Sequence, residues 1–107
     1  VSGDTIIGEG SKLDCQVHIG HGVIVGKNCL FAAQVGIGGK TVIEDNVTLY
    51  GQVGVAQSIR IGAKAIVLAK SGVSKTLEGG KTYFGAPAIE ARQYYREMAA
   101  VRMLAKK

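Results

Sequence analysis

Ile19-Gly-His-Gly-Val-Ile-Val25-Gly-Lys-Asn-Cys-Leu-Phe31-Ala-Ala-Gln-Val-Gly-Ile37 repeats in sixes. A large apolar residue opens each hexad, a small or β-branched residue stands fifth, and glycine often stands second. Followed in both directions, the first column reads Val1, Ile7, Leu13, Ile19, Val25, Phe31, Ile37, Ile43, Leu49, Val55, Ile61, Val67 and Val73, thirteen matches in thirteen positions. With 47% of residues apolar, chance gives such a run on the order of once in ten thousand trials or less. A period of six is neither helical nor a simple alternation; it is the hexapeptide signature of a β-helix.

The other columns agree. The fifth includes Thr5, Ser11, Val17, Val23, Cys29, Val35 and Thr41, and the second includes Gly8, Gly20, Gly26, Gly38 and Gly62. Each hexad reads as a short extended segment followed by a sharp corner, with the large aliphatic inward and the small residue filling the taper beside it. Glycine, Asn28 and Asn46 fall near corners, where a positive φ is cheap for them. Three segments close a triangle, so a coil takes eighteen residues and Val1 to Gly72 makes four coils. The fold class is all-β, a parallel β-helix over residues 1–76, followed by a loop and a C-terminal α-helix over 77–107. Leu77 to Ala88 reads as the loop, with Pro87 suited to a first helical turn, and Ile89 to Lys107 as the helix. Its stripe of Tyr94, Met98, Val101 and Ala105 is expected to dock on the prism or on a neighbouring subunit.

The composition narrows the function. A net charge of +5 without a Lys/Arg block or interleaved aromatics argues against nucleic acid and for a weakly basic patch facing an acidic partner. Cys15 and Cys29 have neither metal nor disulfide spacing, and free thiols fit a reducing cytoplasm. No apolar run is long enough to span a membrane.

Stacking places residues eighteen apart above one another. Gln16, Gln34 and Gln52, with Lys70 above, form one column; His18, Gly36, Gly54 and Gly72 form another. The glycine column is read as one corner, where each coil needs positive φ, or as a side-chain-free groove for something long and thin. His18 and His21 are the only histidines, and without a third they do not make a zinc site. His21 stands at a corner between Gly3 below and Gly39 above, so it has open space on either side. An imidazole there is suited to general-base work, and the Gly39 N–H is placed to face a developing oxyanion. Asp4 and Asp14 are candidate orienting carboxylates. An ordinary exposed corner histidine remains the alternative.

The run Asp14-Cys-Gln-Val-His-Ile-Gly-His21-Gly-Val-Ile-Val-Gly26 resembles the D-N-x-V-x-I-A-H-N-V-x-I-G segment of bacterial UDP-3-O-(3-hydroxyacyl)glucosamine N-acyltransferases, enzymes of lipid A synthesis. Ala32-Ala-Gln-Val-Gly-Ile-Gly-Gly39, Gly51-Gln-Val-Gly-Val55 and Phe84-Gly-Ala-Pro-Ala88 extend the match over essentially the whole chain. The resemblance implies a left-handed β-helix in a cytoplasmic homotrimer with active sites between subunits. It implies transfer of a 3-hydroxyacyl chain from acyl carrier protein to the 2-amine of a UDP-linked 3-O-acylglucosamine, with no further cofactor. His21 is then the general base and Gly39 the oxyanion donor. His18, Gly36, Gly54 and Gly72 line an acyl or pantetheine groove, and Arg60, Lys64, Lys70 and Lys75 dock the carrier protein. Cys15 and Gly22 replace asparagines of the family motif, and Ser58 stands where members can carry a further histidine. The family's N-terminal uridine-binding domain has no counterpart here, so the chain is expected to be a fragment with at most weak activity. The rival readings are the sister UDP-N-acetylglucosamine O-acyltransferase or another hexapeptide acyltransferase, and a non-catalytic β-helical scaffold.

Overall fold

A computed structural model describes residues 3–106; Val1 of the apolar column and Lys107 of the helix lie outside them. Twelve two-residue strands, β1 (Ile6–Ile7), β2 (Lys12–Leu13), β3 (His18–Ile19), β4 (Ile24–Val25), β5 (Leu30–Phe31), β6 (Gly36–Ile37), β7 (Val42–Ile43), β8 (Thr48–Leu49), β9 (Gly54–Val55), β10 (Arg60–Ile61), β11 (Ile66–Val67) and β12 (Gly72–Val73), recur every six residues. They stack into three parallel ladders: β1-β4-β7-β10 on a first face, β2-β5-β8-β11 on a second and β3-β6-β9-β12 on a third. The register pairs Ile6 with Ile24, Lys12 with Leu30 and His18 with Gly36, a step of eighteen residues per coil.

The hexad columns map onto burial. Val25, Phe31, Ile37, Ile43, Leu49, Ile61 and Val67 fill the prism axis, with Val23, Cys29, Val35, Val47 and Val53 tucked into its corners. The column opens toward the first coil, where Ile7 is 45% exposed. Thr41 joins the core at no solvation penalty because its hydroxyl donates to the Ala56 carbonyl at 2.7 Å.

Two different constraints shape the corners. Positive φ falls on the fourth residue of the hexad, at Gly10, Gln16, Gly22, Asn28, Gln34, Lys40, Asn46, Gln52, Ser58, Lys64 and Lys70. The second-position glycines have no positive φ. They are there because the coil above passes too close for a Cβ: one at Gly38 would lie 2.6 Å from the Gln57 nitrogen, and one at Gly62 would lie closer still to Gly79. The expectation that these glycines supply positive φ is therefore corrected to close backbone approach. Gln16, Gln34 and Gln52 tolerate the left-handed conformation on one edge while their amides bond in series at 2.9 and 2.6 Å.

Above Val73 the step shortens. Leu77 bridges Ile61 and Tyr83 pairs with Val67, each sixteen residues on rather than eighteen. Residues 77–88 are therefore not a simple loop. Strand β13 (Thr82–Gly85) adds a fifth rung to the second face and turns back antiparallel into β14 (Ala88–Glu90). Tyr83 closes the top of the apolar column, and its hydroxyl donates to the Glu78 carbonyl at 2.9 Å. Pro87 sits in the β13–β14 turn rather than in a helix, preceded by a cis peptide bond. Helix α1 spans Ala91–Ala105. It docks on the hairpin through Ala91, Tyr94 and Met98, with the Tyr94 ring edge-on to Phe84 at 4.7 Å. The stripe therefore meets the hairpin at its first half only, through Tyr94 and Met98, while Val101 farther along it is more than half exposed, as are Met103 and Leu104 beside it.

Candidate active site

His21 occupies the third-to-first corner, between β3 and β4, and its side chain is exposed. The corner is held from both sides. From the coil above, the Lys40 N–H donates to the His21 carbonyl at 2.9 Å. From the coil below, the Thr5 hydroxyl donates to the Gly20 carbonyl at 3.2 Å and accepts the Gly22 N–H at 3.0 Å. The imidazole itself makes no hydrogen bond among the described residues. Asp4 lies on the same corner without bonding to the ring. Asp14 lies on the second face, where its carboxylate accepts the Cys15 N–H at 2.7 Å.

Gly39 lies directly over His21: a Cβ there would stand 3.1 Å from the His21 carbonyl oxygen. No hydrogen bond engages the Gly39 N–H among the described residues. The same corner carries Ser58 one coil higher, and Lys75 follows β12 where the chain next turns it.

His18, Gly36, Gly54 and Gly72 line up as expected, but in mid-strand and outward on the third face rather than at a corner. None of the three glycines has positive φ, so the conformational explanation of the column does not apply. A Cβ at Gly36 or Gly54 would meet nothing within 4 Å, and one at Gly72 would only touch Ala86. With Gly20 and Gly38 beside them, the third face is nearly bare of side chains. His21 borders this strip.

The four basic residues are not brought together. Arg60 is on the first face, Lys64 at the first-to-second corner, Lys70 at the second-to-third and Lys75 at the third-to-first, because the hexad turns 120° per segment. Arg60 is also engaged, its guanidinium donating to Glu44 at 2.6 Å. That guanidinium, and after it the Ala63 N–H, hold the Glu44 carboxyl below its ordinary 4.5. A folded-state value below the unfolded one adds stability above pH about 4.5 that is lost as pH falls through the lower folded value. Glu44→Gln is therefore expected to flatten the acid limb of a thermal-melt series run from about pH 6 to 3. An unchanged limb overturns it.

A depression of about 450 Å³ lies away from His21. It lies on the second face between Leu30, Ala32, Thr48 and Tyr50, with Lys12 and Asp14 at its lower rim. No group of three or more His, Cys, Asp or Glu side chains among the described residues is arranged to hold a metal ion. Nor is any described helix long and apolar enough to cross a membrane.

A model of the bacterial transferase hexapeptide, six repeats, matches residues 4–39. A UDP-3-O-acylglucosamine N-acyltransferase of Methylobacterium sp. (strain 4-46) is 44% identical over 104 residues, covering 97% of this chain and 30% of the relative. The same-named protein of Rhizobium meliloti (strain 1021) is 47% identical over 100 residues, 94% of this chain and 28% of the relative. This chain thus spans about 30% of the length of the curated relatives it matches. Among solved structures, UDP-N-acetylglucosamine acyltransferase of Francisella novicida superposes with a TM-score of 0.74 at 22% identity, covering 80% of this chain and 41% of that one. At that identity the likeness speaks for the fold alone. Coil register and sequence identity agree that the chain carries the bacterial transferase hexapeptide repeat and is similar, over nearly its whole length, to a segment of the UDP-3-O-acylglucosamine N-acyltransferases.

Proposed function

We propose that the chain forms the catalytic β-helical part of an N-acyltransferase that moves a 3-hydroxyacyl chain from acyl carrier protein to the 2-amine of a UDP-linked 3-O-acylglucosamine. The observation that carries the proposal is the corner at His21. An unencumbered imidazole sits beneath an unengaged N–H of Gly39 and beside a strip of surface without side chains, in a chain 44% identical to proteins of that name.

The amine attacks the thioester carbonyl carbon as a His21 ring nitrogen takes its proton. The carbonyl π electrons move onto oxygen, and the Gly39 N–H donates to the oxyanion. Collapse re-forms the carbonyl, breaks the carbon–sulfur bond and expels the thiolate, which recovers the proton from the imidazolium. The third-face lane accommodates the donor's extended arm. The carrier protein is an acidic partner for the basic residues near the top of this corner, Lys75 and Lys40, and its docking weakens with salt. Lys64 and Lys70 lie on other edges and would serve it only through a neighbouring subunit. Such a donor places the reaction in the cytoplasm.

A homotrimer is part of the same proposal. Ile24, Leu30, Tyr50 and Ile66 are exposed on the first and second faces, and Val101, Met103 and Leu104 on the outer helix. Together these are apolar surface for neighbouring copies to cover.

The test is acyl transfer from 3-hydroxyacyl-carrier protein, measured for this chain and for a chimera in which it replaces the matching segment of the Methylobacterium relative. Light scattering at micromolar concentration gives the assembly. N-acylation by a trimer is expected. Transfer to the hydroxyl of UDP-N-acetylglucosamine alone assigns the sister O-acyltransferase activity instead, transfer to neither acceptor leaves a scaffold, and a monomeric mass removes the trimer.

A further inference from the structure

We infer that Thr5 is a positioning residue for His21; this rests on the catalytic reading of that histidine. The fifth column of the hexad contains hydroxyls that reach up one coil and clip the next corner. Ser11 donates to the Gly26 carbonyl at 2.8 Å and accepts the Cys29 N–H at 2.9 Å. Thr41 donates to the Ala56 carbonyl at 2.7 Å and accepts the Ile59 N–H at 3.4 Å. Both span from the fifteenth to the eighteenth residue ahead, closing the corner as a whole.

Thr5 departs from that pattern. It takes the carbonyl fifteen residues ahead, at Gly20, but the N–H seventeen ahead, at Gly22. One hydroxyl therefore brackets a single residue, His21, from its two peptide neighbours. Both neighbours are glycines, and Gly22 is held at φ +72°. A Gly-His-Gly tripeptide is among the loosest the chain can make, so the direction of the His21 Cα–Cβ bond depends on what holds the flanking peptides. Thr5 holds both from below, and the Lys40 N–H holds the His21 carbonyl from above.

The column also treats the two coils of the site differently. Val23, one coil above Thr5, has no hydroxyl, so no such clip reaches up to the next corner of the same edge. Removing the clip should misdirect the imidazole without removing it, so the turnover step suffers more than substrate binding does.

Two readouts test this. In the unsubstituted chain, amide hydrogen exchange at Gly22 is expected to be at least about tenfold slower than at Gly10, a fourth-position glycine of similar φ whose N–H has no partner among the described residues. Equal exchange overturns the clip without any variant having to fold. In the transfer assay, Thr5→Val is expected to lower kcat about tenfold with KM unchanged, and Thr5→Ser to restore it. Ser11→Ala, which opens a clip at a corner without histidine, is the control. A kcat loss no larger for Thr5→Val than for Ser11→Ala, a rise confined to KM, or failure of serine to rescue overturns the positioning role. If His21→Ala leaves turnover intact, the catalytic reading fails and Thr5's role with it. Slow exchange at Gly22 then shows that the clip itself exists.

Discussion

His21→Ala lowers acyl transfer by about 10²–10⁴-fold, the range general-base catalysis supplies, while the thermal midpoint stays within a degree or so of the parent's. The two halves of this expectation come from the same geometry. The ring is exposed at a corner, packs against nothing in the core and makes no hydrogen bond among the described residues. Exposed substitutions of that kind shift stability by no more than about 0.5 kcal/mol. The backbone of the corner is held by Thr5 and Lys40 whatever side chain stands at position 21. Loss of rate with unchanged melting is thus the signature of a chemical role. Unchanged rate would leave an ordinary corner residue, and a large fall in melting temperature would mean the ring is structural.

Gly38→Ala destabilises the chain by about 1–3 kcal/mol, the cost of forcing atoms into a packed site, whereas Gly36→Ala, two residues earlier, has almost no cost. A Cβ at Gly38 would press on the backbone of Ala56 and Gln57 at 2.6–2.9 Å, and backbone in a continuous ladder cannot swing aside. A Cβ at Gly36 points off the third face into open space. Denaturant unfolding of the two variants separates them directly. Equal losses would show that the strip of Gly36, Gly54 and Gly72 is needed for folding after all. Gly36→Leu, equally harmless to folding, is expected to raise KM for the acyl donor, because the strip is the proposed donor groove. An unchanged KM argues against that assignment.

The sequence reading was strongest where one side chain answers to one constraint. Val25, Phe31, Ile37 and Leu49 stand in a sixfold column because each must fill the same small section of the prism, and they are buried accordingly. The reading misplaced glycine because the residue has two uses and one symbol. At Gly10 and Gly22 it permits positive φ, at Gly20 and Gly38 it admits the coil above, and at Gly36 and Gly54 nothing within the chain requires it. Only the packing of one coil on the next separates these. The hairpin of β13 and β14 was missed for a different reason. Leu77 and Tyr83 return to the ladder after sixteen residues, so the hexad count had already lost them. The run of strand-prone residues Thr82-Tyr83-Phe84 was the available signal.

The candidate site divides in the same way. That His21 lies under Gly39 follows from eighteen-residue stacking, because the ladder fixes vertical neighbours once the period is known. Scattering of Arg60, Lys64, Lys70 and Lys75 around the prism follows from the same count, yet a linear sequence makes them look like one cluster. What the sequence by itself determined is the period, the coil and the vertical order of residues, since each is imposed by repeating backbone hydrogen bonds and a core of constant width. What only the tertiary structure decided is how the spare bonds are spent: the Thr5 hydroxyl on the two peptides around His21, Arg60 on Glu44 and, among the described residues, nothing on the Gly39 N–H. Those choices depend on where each side chain points at its corner, and no periodicity encodes that.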